Sequence, residues 1–291
     1  MSRKKVLVTG ADSQLGKTLQ ARNFLTFDFD FKSKEELDIT DKKSVKSYFK
    51  NHKIDYCLNF AAYTNVEQAE KDSKRCFKVN KKGVKNLVKA ARKHHFKLIH
   101  ISTDYVFDGL KQKPYKEKDR TRPINVYGKS KRAGEKIIIK NLKKYYIIRT
   151  SWLYSAFNRN FVKTILQAVN ANQELKLIND QTGTPTYAED LIDFILYLMR
   201  HNRLNNKPAP WGIYHFSNSG KTTWYKFARE ILSYTQAEVS LKPVCSFEYP
   251  TEALRPVYSV LSKKKIQKKF DCKPRHWKKA LKEFIREYKK Q

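Results

Sequence analysis

The chain has 291 residues, 40% of them hydrophobic, which is enough for one large domain or two small ones around a real core. No apolar run approaches the roughly eighteen residues that a membrane-spanning helix needs, and the start of the chain is too short for a signal sequence, so we expect a cytoplasmic protein without a membrane anchor. Lys and Arg number 61 against 28 Asp and Glu, and the resulting formal charge of +33 exceeds what a small-molecule enzyme requires.

Short apolar runs alternate with longer stretches of helical period along the first half of the chain. The apolar runs predict strands over 5–9, 24–28, 55–60, 97–102 and 145–150. The stretches between them predict helices over 14–22, 42–50, 73–94 and 126–141. Strands that alternate with helices are typical of a parallel sheet covered on both faces. The predicted fold class is therefore α/β, with a doubly wound, mostly parallel sheet.

A glycine-bearing loop follows the first predicted strand and opens the first helix. Gly10 and Gly16 flank Ser13, which stands where a dinucleotide-binding motif usually carries its middle glycine. Glycines at such a turn let backbone amides approach a pyrophosphate at the positive end of the helix dipole. Because serine is small enough to keep the turn, the loop predicts an NAD(P)-binding Rossmann core.

The second predicted strand ends in Asp28, about twenty residues beyond the loop. A carboxylate there can accept hydrogen bonds from the adenosine ribose, and it favours NADH because it would repel a 2′-phosphate. Lys32 and Lys34 follow closely and could reverse this preference. NADPH and NADH therefore both remain open.

Tyr127 and Lys131 lie one helical turn apart, downstream of the strand predicted over 97–102. Positions i and i+4 share a helix face, so the ammonium can lie near the phenol and lower a pKa that is otherwise about 10. Such a phenol can deliver a proton near neutral pH. The pair predicts general acid catalysis, although Tyr-x-x-x-Lys also arises by chance.

After residue 150 the pattern becomes less regular. Helices are predicted over 161–170, 188–201, 224–234 and 276–289, with loops over 179–186 and 205–211. Irregular segments usually carry specificity. We therefore expect residues 1–150 to form the cofactor-binding core and residues 151–291 to form mainly a smaller substrate-binding lobe, with some segments, such as a strand at 175–178, returning to the core sheet.

Several motifs, in order along the chain, together resemble those of an extended short-chain dehydrogenase/reductase. They are Thr9 to Gly16, Asn59-Phe-Ala-Ala-Tyr-Thr64, Ser102-Thr-Asp-Tyr-Val-Phe-Asp-Gly109 and Tyr127-Gly-Lys-Ser-Lys131. With the later motifs the chain resembles the dTDP-4-dehydrorhamnose reductase family over nearly its whole length; these are Arg149-Thr-Ser-Trp152, Asn160-Phe161, Asp180-Gln-Thr-Gly-Thr-Pro-Thr186 and Arg255-Pro256.

The resemblance implies reduction, by NADPH or NADH, of the 4-keto group of a nucleoside-diphosphate-6-deoxy-L-sugar, here dTDP-4-dehydrorhamnose to dTDP-L-rhamnose. Hydride delivery builds negative charge on the ketone oxygen, so a proton donor must lie within reach. Tyr127 is expected to be that donor, Thr103 to give a second hydrogen bond, and Lys131 to lower the phenol pKa and hold the nicotinamide ribose.

The remaining site residues are carried over by matched motif. Cofactor contacts are implied for Gly10, Ser13, Gln14, Leu15, Asp28, Asp38, Ile39, Ala61, Ala62, Tyr63, Tyr127 and Lys131. Substrate contacts are implied for Thr103, Asp104, Trp152 and Arg255. An arginine fork suits phosphate oxygens, so Arg255 is expected near the diphosphate.

One departure from the family bears on metals and assembly. Some members are described as magnesium-linked dimers through glutamates, one of them early in the first helix. Here that helix reads Lys17-Thr-Leu-Gln20, so no metal is predicted, and a homodimer and a monomer both stay open. The widely spaced cysteines are predicted to be reduced thiols rather than zinc ligands or disulfides; they are Cys57, Cys76, Cys245 and Cys272.

Other functions stay open as alternatives. A nucleotide-sugar epimerase or dehydratase begins with the same tyrosine and hydride chemistry, but a dehydratase normally needs an acidic pair after the threonine, and here Asp104 is followed by Tyr105. A non-catalytic, reductase-like regulatory subunit would bind a cofactor or a partner without turnover. The lysines are spread along the whole chain, which favours a solvated basic surface that attracts nucleic acid non-specifically.

Overall fold

A computed structural model of the chain describes residues 3–23, 26–170, 174–204, 209–235 and 239–290. In chain order the strands are β1 (Lys4–Thr9), β2 (Phe27–Lys32), β3 (Tyr56–Asn59), β4 (Lys97–Thr103), β5 (Tyr145–Thr150), β6 (Leu153–Tyr154), β7 (Leu175–Ile178), β8 (Thr182–Gly183), β9 (Thr186–Tyr187), β10 (Gly212–His215), β11 (Thr222–Thr223) and β12 (Leu241–Val244). Six of them form one parallel sheet in the order β10-β5-β4-β3-β1-β2.

The α-helices cover both faces of this sheet. They are α1 (Gln14–Gln20), α2 (Lys42–Asn51), α3 (Val66–Lys71), α4 (Ser73–Phe77), α5 (Val84–His94), α6 (Val126–Asn141), α7 (Phe161–Asn170), α8 (Ala188–Leu204), α9 (Trp224–Leu232), α10 (Lys264–Phe270) and α11 (Trp277–Tyr288). A π-helix spans Lys78–Gly83, and 3-10 turns span Asp104–Val106 and Ser246–Glu248.

Strand β1 shows why both faces must be covered. Its side chains alternate, so Val6 and Val8 pack in the apolar core formed with α1 and α8, while Leu7 packs in the core formed with α2 and α5. All three are fully buried. The prediction of a doubly wound, mostly parallel sheet is confirmed.

The second strand lies later in the sequence than predicted. Residues 24 and 25 of the predicted strand are outside the described residues, and β2 runs on to Lys32, four positions beyond the predicted end. Phe27, Phe29 and Phe31 alternate with polar residues throughout, so the pattern itself contains no stop before Lys32.

Two other predicted elements differ in the structure. The helix predicted over 73–94 is divided into α4, the π-helix and α5. The strand predicted over 175–178 forms as β7, but it pairs with β12 in a separate two-stranded sheet, and it is β10 that joins the core sheet beside β5. A Rossmann sheet grows by pairing at an open edge, and β10 occupies the edge at β5.

The later segments enclose their own apolar cluster. Tyr154, Phe227 and Phe284 pack together there with residues of α7 and α11. This cluster supports the side of the cleft that faces the carboxyl ends of the core strands, where ligands of open α/β sheets bind. Among the described residues, no helix is both long and apolar enough to cross a membrane.

Candidate active site

A cavity of about 480 Å³ lies at the carboxyl ends of β1, β4 and β5. The predicted residues that line it are Ser13, Gln14, Leu15, Ala62, Thr103, Asp104, Tyr127, Lys131 and Trp152. A larger cavity, of about 670 Å³, lies elsewhere and is lined by residues such as Asp190 and Arg275, with none of the predicted site residues. We therefore place the candidate site in the smaller cavity.

Helix α6 holds Tyr127 and Lys131 against the end of β4. The side chain of Asn125 caps the helix by accepting a hydrogen bond from the backbone N–H of Gly128 at 2.7 Å. A Cβ at Gly128 would lie 2.1 Å from the carbonyl oxygen of Tyr105, so only glycine permits this close approach. The approach brings the first turn of α6 beside Thr103, the last residue of β4.

Burial governs the ionisation of the tyrosine and lysine pair. It raises the pKa of Tyr127 well above its usual value, and the neighbouring Thr103 hydroxyl opposes that rise. Burial also lowers the pKa of Lys131 to about 8. The predicted lowering of the phenol pKa is therefore wrong, because desolvation disfavours the phenolate more than its neighbours stabilise it. The phenol is protonated at neutral pH, as a proton donor must be.

Lys131 is fixed below the cavity by the sheet. Its ammonium donates a hydrogen bond to the carbonyl oxygen of Ile101 at 2.6 Å, and only 2% of the residue is exposed. A lysine ammonium has three donors. The remaining donors of this nearly buried group lie beside the cavity that Lys131 lines.

Thr103 and Asp104 form a buried polar pair at the cavity wall. The Thr103 hydroxyl donates to Oδ1 of Asp104 at 3.0 Å and accepts from the backbone N–H of Tyr105 at 3.2 Å. The other carboxyl oxygen of Asp104, Oδ2, has no partner among the described residues. Burial raises the pKa of Asp104 to about 6, although the neighbouring Ser259 and Thr103 hydroxyls oppose the rise.

The predicted cofactor loop has the backbone of a close-approach turn. Gly10 has φ of 69°, and a Cβ there would lie 2.6 Å from the backbone nitrogen of Ala61. The Ser13 hydroxyl caps α1 by accepting from the N–H of Gly16 at 3.1 Å. Serine therefore has a structural reason to occupy the position where a glycine was expected.

The strand register adds Asp30 to Asp28 as a candidate for the adenosine ribose. Asp28 pairs with Lys5 in the sheet, whereas the loop follows Thr9, which pairs with Lys32. The four residue steps from Asp28 to Lys32 separate Asp28 from the carboxyl edge by about 13 Å at about 3.3 Å per step. Asp30 lies two residues closer to that edge and accepts a hydrogen bond from the Tyr48 hydroxyl at 2.5 Å. Asp28 stays a prediction, and the register of β2 adds Asp30 as a candidate.

The other predicted cofactor residues are not among those that line the cavity. Asp38 accepts from the backbone N–H of Thr40 at 2.8 Å, and Ile39 is buried in the core below α2 and α5. Tyr63 is fixed by Asn80 of the π-helix, which accepts from the Tyr63 N–H at 2.9 Å and donates to its carbonyl oxygen at 3.0 Å. The structure gives these backbones a defined position after β2 and β3.

Arg255 lies at the mouth of the cleft, outside the 480 Å³ cavity. It forms an ion pair with Glu67 at the start of α3, and its guanidinium donates to the carbonyl oxygen of Ala253 at 3.3 Å. Arg255 and Glu67 line a separate cavity of about 520 Å³. The predicted phosphate ligand is therefore paired with a carboxylate at this position.

Several lining residues were missed in the sequence. They include Thr64, Val66, Tyr105, Ser151, Asn158, Asn160 and Trp224. Asn158 donates to the carbonyl oxygen of Asp12 at 2.7 Å, and Ser155 donates to Gln14 at 3.0 Å, so the segment after β6 closes against the cofactor loop. The Thr64, Tyr105 and Ser151 positions lie inside the quoted motifs, but no sequence signal pointed to Asn158 or Trp224.

Glu189, a glutamate at the start of α8, bears on the question of a metal site, and its carboxylate forms an ion pair within the chain. Arg22 donates to its carboxylate through Nε at 2.6 Å, and also to Asp193 at 2.6 Å. Within the described part of the chain, no group of three or more His, Cys, Asp or Glu is arranged to hold a metal ion. The absence of a metal site stays a prediction.

Comparison with known proteins gives consistent matches over the whole chain. The family model described as RmlD substrate binding domain matches residues 4–290. The chain is 38% identical to the dTDP-4-dehydrorhamnose reductase of Aggregatibacter actinomycetemcomitans, over 98% of this chain and 99% of that protein. It is 39% identical to the spore coat polysaccharide biosynthesis protein SpsK of Bacillus subtilis, over 97% of each.

A solved structure shows the same fold. The dTDP-4-dehydrorhamnose reductase from Bacillus anthracis, in complex with NADP, matches with a TM-score of 0.93 and 36% identity, over 98% of this chain and all of that one (100%). A likeness of this extent includes both the core sheet and the later segments.

Proposed function

The chain belongs to the dTDP-4-dehydrorhamnose reductase family, and from that premise we propose how its cleft works. The protein is an NAD(P)H-dependent oxidoreductase that reduces the 4-keto group of dTDP-4-dehydrorhamnose to give dTDP-L-rhamnose. The observation that supports our assignment of roles is the meeting of Thr103, Tyr127 and Lys131 in one cavity with the cofactor loop.

Tyr127 acts as the proton donor. Its phenol stays protonated at neutral pH because burial raises its pKa. As negative charge develops on the ketone oxygen, that oxygen becomes a far stronger base, and proton transfer from the phenol becomes favourable. Lys131 lies one turn along the same helix, where its charge stabilises the phenolate that remains.

Thr103 donates the second hydrogen bond to the ketone oxygen. Its hydroxyl donates to Asp104 in the structure, so it rotates off that carboxylate, or Asp104 takes up a proton, before it can donate to the substrate. The carboxyl pKa of about 6 makes protonation accessible near neutral pH. Asp104 therefore contacts the substrate with the oxygen that has no partner and controls the direction of the Thr103 hydroxyl.

The residues around the loop fit a nicotinamide dinucleotide. A cofactor with its pyrophosphate at Gly10 to Leu15 can extend along one continuous lining to Tyr127 and Lys131. When bound, the reduced cofactor supplies the hydride. Lys131 holds its nicotinamide ribose with the ammonium donors not used by Ile101, and Asp30, beside the predicted Asp28, receives the adenosine ribose, with Asp38, Ile39, Ala61, Ala62 and Tyr63 forming the wall beside it.

The two parts of the chain divide these tasks. We assign residues 1–150 to cofactor binding and residues 151–291 mainly to substrate binding, with α8 and β10 returning to the core. Trp152 contacts the sugar, and Arg255 exchanges Glu67 for the diphosphate of the substrate. The reaction is placed in the cytoplasm, where the free thiols of Cys57 and Cys76 stay reduced. A homodimer stays a prediction.

The test is a turnover assay on the purified protein with dTDP-4-dehydrorhamnose and NADPH or NADH. Loss of the reduced-cofactor absorbance, with dTDP-L-rhamnose as product, is expected. Tyr127→Phe removes the proton donor and should lower kcat by about 10² to 10⁴. Tyr145→Phe is the matched control, since Tyr145 lies at the opposite end of the sheet from the cavity. Inactivity of the wild-type protein with both cofactors, or full activity of Tyr127→Phe, would overturn the assignment.

A further inference from the structure

Trp152 has a backbone conformation that bulky residues rarely adopt. It follows β5 closely, with φ of 46° in the left-handed region. Its carbonyl oxygen accepts from the N–H of Thr186 at 3.1 Å, and the neighbouring Ser151 hydroxyl donates to the carbonyl oxygen of Thr184 at 2.7 Å. Surrounding contacts must hold a residue in such a conformation, and strain of this kind gathers at functional sites.

Two groups enclose the Trp152 indole. The indole of Trp224 stacks on it, with ring centroids 3.5 Å apart and planes within 9° of parallel. Gly183 lies against its edge, where a Cβ would be only 2.5 Å from Cε2 of the ring. Glycine is therefore needed at position 183 to leave room for the indole.

Trp224 is itself fixed from outside the cleft. Its Nε1 donates to the side-chain oxygen of Gln181 at 3.3 Å, and the ring of Phe161 packs on it with centroids 4.7 Å apart. Thr223 caps α9 immediately before it, by accepting from the N–H of Lys226 at 3.2 Å. Trp152 and Trp224 both line the cavity that contains Tyr127.

We propose that Gly183 and Trp224 are positioning residues that hold Trp152 as a rigid aromatic wall against the apolar C–H face of the deoxy sugar. The proposal rests on the proposed function, because the wall orients the sugar ketone toward Tyr127. An indole offers a large, flat apolar surface with few rotatable bonds. A small displacement of the reacting carbon lowers the rate of hydride and proton transfer strongly, so the position of this wall matters for turnover.

The experiment compares Trp224→Leu, Trp224→Phe and the control Trp211→Phe, a tryptophan that packs on Tyr146 in the core. Two stacked indoles couple their transitions and give a couplet in far-ultraviolet circular dichroism. Trp224→Leu should abolish the couplet and lower kcat/KM about tenfold to a hundredfold, with unchanged cofactor affinity. Trp224→Phe should also lose the couplet but keep kcat/KM within a few-fold, since a ring still stacks. Trp211→Phe should change neither.

A second variant, Gly183→Ala, tests the same proposal if Trp224→Leu fails to fold. Gly183→Ala keeps both indoles but forces Trp152 away from its place, so it should weaken the couplet and lower kcat/KM to a similar extent. Wild-type activity in Trp224→Leu or Gly183→Ala would overturn the proposal.

Binding of dTDP-L-rhamnose to the wild-type protein separates this proposal from the proposed function. A couplet that is retained on binding in a protein without turnover supports the wall and refutes the reaction. Turnover with a couplet that is lost on binding refutes a rigid wall, whatever the fate of the variants.

Discussion

The two sides of the cleft are built differently. On the core side, Thr103 and Lys131 lie on a central strand and on a long helix, and they are only 6% and 2% exposed. On the other side, Trp152 has a left-handed backbone and Arg255 lies in an irregular segment held by Glu67. Regular elements thus fix the groups assigned to the chemistry, and irregular ones present the groups assigned to recognition. Variants of the first kind should change kcat, and variants of Arg255 on the other side should change KM.

The largest effect within this comparison is expected on the core side. Thr103→Val keeps the shape of the side chain but removes a hydrogen-bond donor to the developing oxyanion, and loss of one such donor costs about 10² to 10³ in kcat. KM should change little. Steady-state kinetics with saturating cofactor measure both constants.

Thr103→Ser is the matched control for this variant. It keeps the hydroxyl and should retain most of kcat, whereas equal losses in both variants would mean that the methyl group of Thr103, through packing, is what matters. A change confined to KM in Thr103→Val would remove the distinction between the two sides of the cleft.

The sequence predicted the core side better than the other side, for physical reasons. The i, i+4 spacing of Tyr127 and Lys131 and the capping Asn125 are local, so the helix that carries them follows from the sequence. The raised pKa of the Tyr127 phenol does not follow from the sequence, because burial depends on the whole fold. The Trp152 and Trp224 stack joins residues far apart in the chain and depends on a backbone conformation that no propensity favours.

The errors within the core have the same origin. The end of β2 is fixed by its pairing with β1 as far as Lys32, and this pairing is the reason we propose Asp30 beside the predicted Asp28 as the ribose carboxylate. The π-helix is set by tertiary contact, since a Cβ at Gly134 of α6 would lie 2.4 Å from the carbonyl oxygen of Asn80. The sequence shows the helical period of residues 73–94 but does not show that α6 packs closely against them.

An intermediate effect is expected at the mouth of the cleft. Arg255→Ala removes charged hydrogen bonds to the substrate diphosphate, which contribute about 1.5 to 3 kcal/mol, so KM for the nucleotide sugar should rise about tenfold to a hundredfold with kcat nearly unchanged. Glu67→Gln should act in the opposite direction, because it releases Arg255 from its ion pair. Isothermal titration with the product and steady-state kinetics measure both changes. An equal rise of KM in both variants would instead mean that the ion pair between Arg255 and Glu67 only holds the segment around Ala253 in place.

The smallest effect concerns stability. It tests whether the buried carboxylate on the core side lowers the free energy of unfolding at neutral pH. The pKa of Asp104 is raised from 3.8 to about 6, so its contribution to the free energy of unfolding is fully present below pH 3.8 and is lost as the pH rises through 6. Asp104→Asn has no such titration. Its stability relative to the wild-type protein should therefore increase by about 1.4 kcal/mol between pH 5 and pH 7.5, because about one pH unit of this loss, from pH 5 to pH 6, falls within that interval. Denaturant unfolding at the two pH values measures this difference. The control is Asp119→Asn, a half-buried loop carboxylate whose pKa is lowered by Lys111, and it is expected to show no such increase. A stability difference between wild type and Asp104→Asn that does not change with pH would mean that the carboxyl group is solvated in the cleft. Burial of Asp104 would then not destabilise the core side at neutral pH.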